Sequence, residues 1–439
     1  MKQEPEAFII RGGNALSGEL TVSSAKNSAL YLMLAALLTD EPVELLDVPD
    51  LSDVRVTCDI LRHFGVTVER RGPHLLLHAA ELTSHTAPFA LVSKMRASFV
   101  AMGALLGRLG RARLSMPGGC AFGPRPVDRH ISAFKALGVT ISEEGGDFYA
   151  ETNGPLAGTV EFSAPTVGGT QNVMLASALG EGEVIIRNAA LEPEIADLAD
   201  MLNSMGADIS GADTGTITIR GARRLSGTSF RPLPDRIEAG TYMLAAAATR
   251  GTITLKRVRR EHLTAVIDKL EETGVRVLDG ESEELIVDAS GELKAADVTS
   301  AEYPAIPTDL QAPFSAYLAT LPGASVVRDR VYPDRFTHVE DLRRAGADAE
   351  IFERTLIIRG GPLAAARLHA ADIRAGGAVV ITALAATGTS VVTGLEFIDR
   401  GYEDMAGRLQ GLGAAIRRER TPAAGEAPVV PEPLSRVAD

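Results

Sequence analysis

Six times along this chain an amphipathic stretch stops at a glycine and a short β-branched run follows. The stops read "LRHFGVTV", "FKALGVTI", "LNSMGADI", "LEETGVRV", "LRRAGADAEI" and "LQGLGAAI", closing at Gly65, Gly138, Gly206, Gly274, Gly346 and Gly413. Successive glycines are 73, 68, 68, 72 and 67 residues apart. A period held over a whole chain is the mark of a repeated supersecondary unit, and it restricts the fold to something built from six copies of one module. Glycine is the residue that closes a helix most readily, because the closing position needs a left-handed backbone.

The order inside each copy also recurs. A helix of small apolar residues comes first: "AKNSALYLMLAALL", "MRASFVAMGALLG", "TQNVMLASALG", "AGTYMLAAAATRG", "QAPFSAYLATLPG" and "AGGAVVITALAATG". A β-branched strand such as "EVIIRN" or "TITLKRV" follows, then a helix such as "PEIADLADMLNSMG" with apolar residues at i, i+3, i+4 and i+7, then a returning strand. A helix apolar all round belongs in a core, and one with a single apolar stripe covers a sheet. The fold class expected is therefore α/β, with six modules in two groups of three. "RPLPDRIEAG", Arg231 to Gly240, carries two prolines and is the expected hinge. The N-terminal strand "AFIIRGG" can close the second group, so that the chain crosses between the groups twice.

Composition narrows the class of function. Only 5% of the 439 residues are aromatic and none is Trp, so alanine and small aliphatics fill the core. No stretch is long and apolar enough for a secretory signal or a membrane span. Two cysteines cannot frame a disulfide scaffold, and a reducing cytoplasmic setting is expected. A net charge of −13 argues against nucleic-acid binding and against an anionic membrane surface. The final stretch, rich in Pro, Ala and charge, reads as a disordered tail over 417–439.

Against that acidic background, the buried-type helices begin with unusual polar residues. They are Lys26 and Asn27; Arg96; Thr170 and Gln171; Asp235, Arg236 and Glu238; Asp309 and Gln311; Asp372 and Arg374. Equivalent positions in a repeat project from the same end of each module, where helix N-termini already present free N–H groups. Lys26, Arg96 and Arg374, with Arg125 and Arg400 in nearby loops, would form an anion clamp; the plainer reading is a set of surface caps and salt bridges. Cys58 lies on an amphipathic face and reads as core. Cys120 sits in "PGGCAFGPRP", where Gly118, Gly119 and Gly123 free the backbone and Arg125 favours a thiolate. From local sequence it is either a passenger in a turn or a presented reactive group. Phosphate-loop, dinucleotide and serine-elbow motifs are missing, and His74 and His78 have no third metal ligand nearby.

Taken in order, "SAKNSAL", "MRAS", "PGGCAFGPRPVD", "LEPEIAD", "LPDRIEAGTY", "PTDLQAPF", "DRFTHVEDL", "ADIRAG" and "IDRGYEDM" resemble the UDP-N-acetylglucosamine 1-carboxyvinyltransferases, a family of enolpyruvyl transferases. The match spans about Phe8 to Ile416. The resemblance implies two inside-out α/β barrels, each of three βαβαββ units around buried helices: one over 25–233, the other joining 1–24 to 234–416. It implies transfer of the enolpyruvyl group of phosphoenolpyruvate to UDP-N-acetylglucosamine, at the entry to peptidoglycan synthesis, with no cofactor or metal. The protein would be a cytoplasmic monomer or weak oligomer.

By the same resemblance, Lys26, Arg125 and Arg400 would hold phosphoenolpyruvate, with Asn27 orienting the reacting groups and Arg96 on the sugar-nucleotide and phosphate side. Arg125, Pro126, Val127 and Asp128 would meet the uridine part, and Thr166, Val167 and Gly168 the diphosphate. Asp309 would take the proton of the sugar hydroxyl, with Val331 lining the pocket. Cys120 would give a proton to the methylene carbon or assist the covalent adduct and product release. Arg335, Asp372 and Arg374 would support closure. Ala164 stands where some members carry lysine, and Ser24 where glycine is common. The rival readings are a paralogue acting on another nucleotide sugar, the shikimate-pathway transferase, and a non-catalytic UDP-sugar-binding protein. The shikimate enzyme lacks the cysteine loop and "RPVD"; a dead sensor would have lost Lys26, Asp309 or Cys120.

Overall fold

The computed structural model describes residues 6–93, 95–116 and 127–420. Its third unit shows how the sequence generates the module. Strand Gly158–Glu161 leads into the inner helix Val167–Ser177, in which every residue from Gly169 onward is buried. Strand Glu183–Arg187 then alternates, with Val184 and Ile186 inside and Glu183 and Arg187 outside. The outer helix Pro193–Ser204 opens on proline, which suits the first turn because that N–H has no helical partner. It buries Ile195, Leu198, Met201 and Leu202 along one stripe. Strands Asp208–Ser210 and Thr216–Arg220 close the unit.

The four strands form one mixed sheet. The leading strand lies parallel to Glu183–Arg187 (Val160 beside Ile186), which pairs antiparallel with Thr216–Arg220 (Ile186 beside Ile217). Among the described residues there are six such four-stranded sheets. Two borrow their leading strand from far along the chain. Val43–Leu45 takes Thr228–Phe230 as its parallel neighbour, and Thr252–Lys256 takes Ser17–Thr21. Strand Glu6–Gly12 inserts between Gly388–Thr393 and Ala415–Arg420, antiparallel to both.

Two apolar cores result, one drawn from Ala29 to Leu225 and the other from Phe8–Val22 together with Ile237–Ile416. Helices lie inside and sheets outside, so the inner helices must approach one another closely. A Cβ on Gly103, in the helix Ala101–Leu109, would stand 2.1 Å from the carbonyl oxygen of Asn172 in the neighbouring inner helix. The Asn172 side chain uses the same proximity, accepting the Gly103 N–H at 2.6 Å. The six stop glycines all have φ between 82° and 110°, the left-handed region that a helix stop requires.

Two expectations need correction. Residues 417–420 are not tail: they complete strand Ala415–Arg420, where Arg418 pairs with Glu6 and Asp399. Their charge, continuous with the Pro- and Ala-rich stretch that follows, read as part of a solvated tail, but they belong to an edge strand whose long side chains pair with its neighbours. The second inner helix also does not begin as an α-helix, since Arg96–Val100 is a tight 3₁₀ turn before Ala101–Leu109. The remainder of the expected tail lies outside the described residues.

Candidate active site

Three inner helices, Val167–Ser177, Arg236–Ala248 and Ile373–Ala385, start on a carboxylate or hydroxyl that accepts free N–H groups. Asp235 accepts the N–H groups of Ile237 and Glu238 at 2.8 and 3.0 Å through Oδ1. Its other oxygen accepts the Lys26 N–H at 3.1 Å, so one carboxylate serves the first turns of two helices. Asp372 likewise accepts from the N–H groups of Arg374 and Ala375, and from the Thr337 hydroxyl at 2.6 Å. Thr166 caps Val167–Ser177 through the Gly169 N–H at 3.3 Å.

These starts bring cations together in two linked clusters. In the first, Asp53 takes Lys26 Nζ on one carboxylate oxygen at 2.8 Å and Arg400 Nε on the other at 2.9 Å. Burial tends to raise the Asp53 carboxyl, but Lys26 and Arg400 outweigh it and hold the group below the usual carboxylate range. Burial pulls the Lys26 ammonium down; Asp53 resists, and the charges of Arg374 and Arg400 add to the fall. In the second cluster Asp309 accepts from Arg335 Nη1 at 2.9 Å and from Arg374 Nη2 at 2.8 Å. Burial again pushes its carboxyl up, yet Arg374 and Arg335 hold it well below the ordinary range. Because Arg374 is felt at Lys26, the clusters share one electrostatic field. Four cations, Lys26, Arg400, Arg335 and Arg374, are thus gathered on Asp53 and Asp309, with Asp235 and Asp372 at the adjoining helix starts, in a chain of net charge −13.

The residues that the resemblance assigns to the uridine diphosphate form a separate group. Val127 precedes the helix Asp128–Ala136, where Asp128 is exposed in the first turn. His130 from that helix lies beneath Gly168, where a Cβ would stand 3.2 Å from its ring, and it shares a hydrogen bond with the Asn172 amide at 2.9 Å. Thr166, Val167 and Gly168 are half-buried at the start of their helix, with N–H groups available to an anion. Val331 is half-buried, its N–H given to Asp329 at 2.9 Å. Asn27 is half-buried beside Lys26.

A family model described as EPSP synthase (3-phosphoshikimate 1-carboxyvinyltransferase) matches residues 10–409. A UDP-N-acetylglucosamine 1-carboxyvinyltransferase from Deinococcus deserti is 50% identical over 411 residues, covering 93% of this chain and 96% of that protein. One from Thermus thermophilus is 50% identical over 417 residues, covering 95% and 98%. The chain belongs to the UDP-N-acetylglucosamine 1-carboxyvinyltransferase family. Solved structures agree on the fold. The enolpyruvyl transferase NikO from Streptomyces tendae superposes with a TM-score of 0.85 at 24% identity, covering 95% of this chain and all of that one. EPSP synthase from Acinetobacter baumannii gives 0.72 at 18% identity, covering 94% and all of that chain.

Of the residues expected from the family resemblance, Lys26, Asp309, Arg335, Asp372, Arg374 and Arg400 converge. Val127, Asp128, Thr166, Val167 and Gly168 stand together on neighbouring helix starts. Cys120, Arg125 and Pro126 lie outside the described residues, as does the side chain of Arg96. Sequence reasoning missed Asp53, the carboxylate that joins Lys26 to Arg400, and Glu194, which takes Arg236 through both its oxygens at 3.1 and 3.2 Å. The repeat held the signal: Asp53, Asp128, Glu194 and Asp341 all lie in the first turn of an outer helix.

A cavity of about 450 Å³ opens beside the crossing strands, lined in part by Ser23, Ser24, Arg70, Arg257 and Arg408. Lys26 and Asp309 do not line it, and its guanidinium groups donate to nearby carbonyl and hydroxyl oxygens. Among the described residues no helix is long and apolar enough to cross a membrane, and no His, Cys, Asp or Glu cluster could hold a metal.

Proposed function

We propose that this protein transfers the enolpyruvyl group of phosphoenolpyruvate to the 3-hydroxyl of UDP-N-acetylglucosamine and releases phosphate, the committing step of peptidoglycan synthesis, in the cytoplasm. The observation that carries the reading is the meeting of Lys26, Arg400, Arg374 and Arg335 around Asp53 and Asp309, in a chain half identical to enzymes of that name. Phosphoenolpyruvate is a small trianion, and several cations gathered in one place, able to exchange carboxylate partners for its phosphate and carboxylate, suit its binding.

The chemistry divides into an addition and an elimination. The sugar hydroxyl oxygen bonds to the enol carbon, its proton goes to a base, and the methylene carbon gains a proton to become a methyl group. The resulting intermediate carries both phosphate and sugar. Loss of a methyl proton then restores the double bond as the C–O bond to phosphate breaks. Lys26 and Arg400, joined by Arg125, hold the phosphate and carboxylate; Arg96 and Asn27 orient the sugar side. Cys120 supplies the proton to the methylene carbon. The uridine diphosphate lies along Arg125 to Asp128 and the N–H groups of Thr166 to Gly168, with Val331 against the sugar.

Asp309 is the base, and its resting pairs govern when it acts. Held between Arg335 and Arg374 it is a weak acceptor. An arriving anion draws Arg374 towards itself, and the loss of that partner raises the Asp309 carboxyl towards a useful basicity. Asp372 keeps Arg374 in place throughout by fixing its backbone.

Deuterium labelling tests the scheme. Turnover in D₂O should place deuterium in the vinyl group of the product, because the methyl of the intermediate mixes solvent and substrate hydrogens. A product formed with phosphate release but no vinyl deuterium would contradict the addition–elimination path.

A further inference from the structure

Two buried carboxylates, unused in the scheme above, hold the places where the chain crosses between its two halves. Ser23–Ala25 and Leu233–Asp235 run antiparallel, the Ala25 N–H donating to the Leu233 carbonyl at 2.7 Å and the Asp235 N–H to the Ser23 carbonyl at 2.9 Å. Each crossing strand also gives an N–H to a carboxylate. Ser23 N–H donates to Glu238 Oε2 at 2.7 Å, and Leu233 N–H to Asp197 Oδ2 at 3.2 Å. The acceptors come from opposite halves: Asp197 from the outer helix Pro193–Ser204, Glu238 from the inner helix Arg236–Ala248. Both are nearly inaccessible, at 7% and 3% exposure. Burying a carboxylate is costly, and a neutral amide would accept the same N–H, so the charge calls for a use of its own.

Position supplies that use. Lys26 directly follows the first crossing strand, and its own N–H is held by Asp235 on the second. Any slippage between the crossings therefore moves Lys26 relative to Arg374 and Asp309. We propose that Asp197 and Glu238 are positioning residues for enolpyruvyl transfer, their ionised carboxylates fixing the two crossings so that Lys26 and Arg400 meet Asp309 and Arg374 in register.

The groups facing each carboxylate define how it titrates. Around Glu238 stand Arg408 at 3.5 Å, Asp235, Tyr242, Arg257 and the Ser23 hydroxyl; around Asp197 stand the Ser28 hydroxyl, Glu194 and Arg259. Burial outweighs these partners and pushes the Glu238 carboxyl up to about 7 and the Asp197 carboxyl to about 6. Acidification from pH 8 to pH 6 thus removes much of the charge and weakens the pull on Arg408 that sets the register, while the neutral carboxyls, which burial favours, keep the crossings more firmly closed.

The inference rests on the enolpyruvyl-transfer reading, so its test has one arm with substrates and one without. With phosphoenolpyruvate and UDP-N-acetylglucosamine, Glu238→Gln and Asp197→Asn should each lower kcat at pH 8 by about tenfold, with KM nearly unchanged, and flatten the acid limb of the pH profile. Variants with parental kcat, or with profiles that superimpose on the parent after scaling, overturn the proposal. The second arm uses the unaltered protein alone: backbone hydrogen exchange at Ser23 and Leu233, corrected for intrinsic rate, should gain protection between pH 8 and pH 6, by about tenfold at Ser23 and about twofold at Leu233. Unchanged protection overturns the proposal even if a variant fails to fold. A parent that releases no phosphate sinks the reaction reading, and the exchange arm still decides whether these carboxylates hold the crossings.

Discussion

Arg400 and Asp53, 347 residues apart, meet across the two halves of the molecule, with Arg400 Nε 2.9 Å from Asp53 Oδ1. The other oxygen of the same carboxylate holds Lys26. One buried acid thus keeps two cations side by side.

Removing that acid exposes the repulsion. Asp53→Asn should destabilise the substrate-free protein by about 3 kcal/mol, because a buried charge loses its partner. Phosphoenolpyruvate should then raise the melting temperature of the variant by more than it raises that of the parent, the ligand taking over the missing charge. Thermal unfolding with and without the ligand checks both parts; equal ligand shifts would contradict the role given to Asp53.

Asp309→Asn should cut kcat at least about 100-fold, the usual scale for loss of a general base. It should also change how stability depends on pH. Arg374 and Arg335 depress the Asp309 carboxyl, so its ionised form contributes stability above about pH 4 that is lost as the pH falls through the depressed value. The variant should therefore melt below the parent at pH 7, and the gap should narrow steadily under more acid conditions.

Glu238 carries the opposite sign. Its carboxyl is raised to about 7, so folding favours the neutral form. That contribution is complete below about pH 4.5 and is lost as the pH rises through 7. Glu238→Gln should accordingly be more stable than the parent at pH 8, by about 1–3 kcal/mol, and equal to it near pH 4.5. Greater stability joined to slower turnover is the pattern of a residue kept for function. Urea unfolding at the two pH values provides the comparison.

For Cys120 the expectation concerns acid chemistry. Cys120→Asp should retain turnover while resisting alkylation by a small epoxide, since a carboxylic acid can donate the proton but is a poorer nucleophile than a thiolate. Full activity in both Cys120→Ser and Cys120→Ala would remove the cysteine from the proton path.

The legible part of this structure was its periodicity. A stop glycine with its flanking leucine is a local feature, and six of them give the module, its inner and outer helices and the two halves. The cations at Lys26, Arg374 and Arg400 were legible because equivalent repeat positions share one end of the module. What stayed hidden was pairing over long separations. Asp53 reads as an ordinary acid in a helix first turn, and only the fold shows that Lys26 and Arg400 share it. The partners of Asp197 and Glu238 were hidden for a related reason, since each receives a backbone N–H from a strand that sequence cannot place. Arg417–Arg420 misled because a run of charged residues looks the same in a tail and on an edge strand.

The most direct test of the central claim is phosphate release from phosphoenolpyruvate with three acceptors in parallel. UDP-N-acetylglucosamine should support steady release, while UDP-N-acetylgalactosamine and shikimate 3-phosphate should give little above background. No release with UDP-N-acetylglucosamine, or a faster rate with either of the others, would contradict the account.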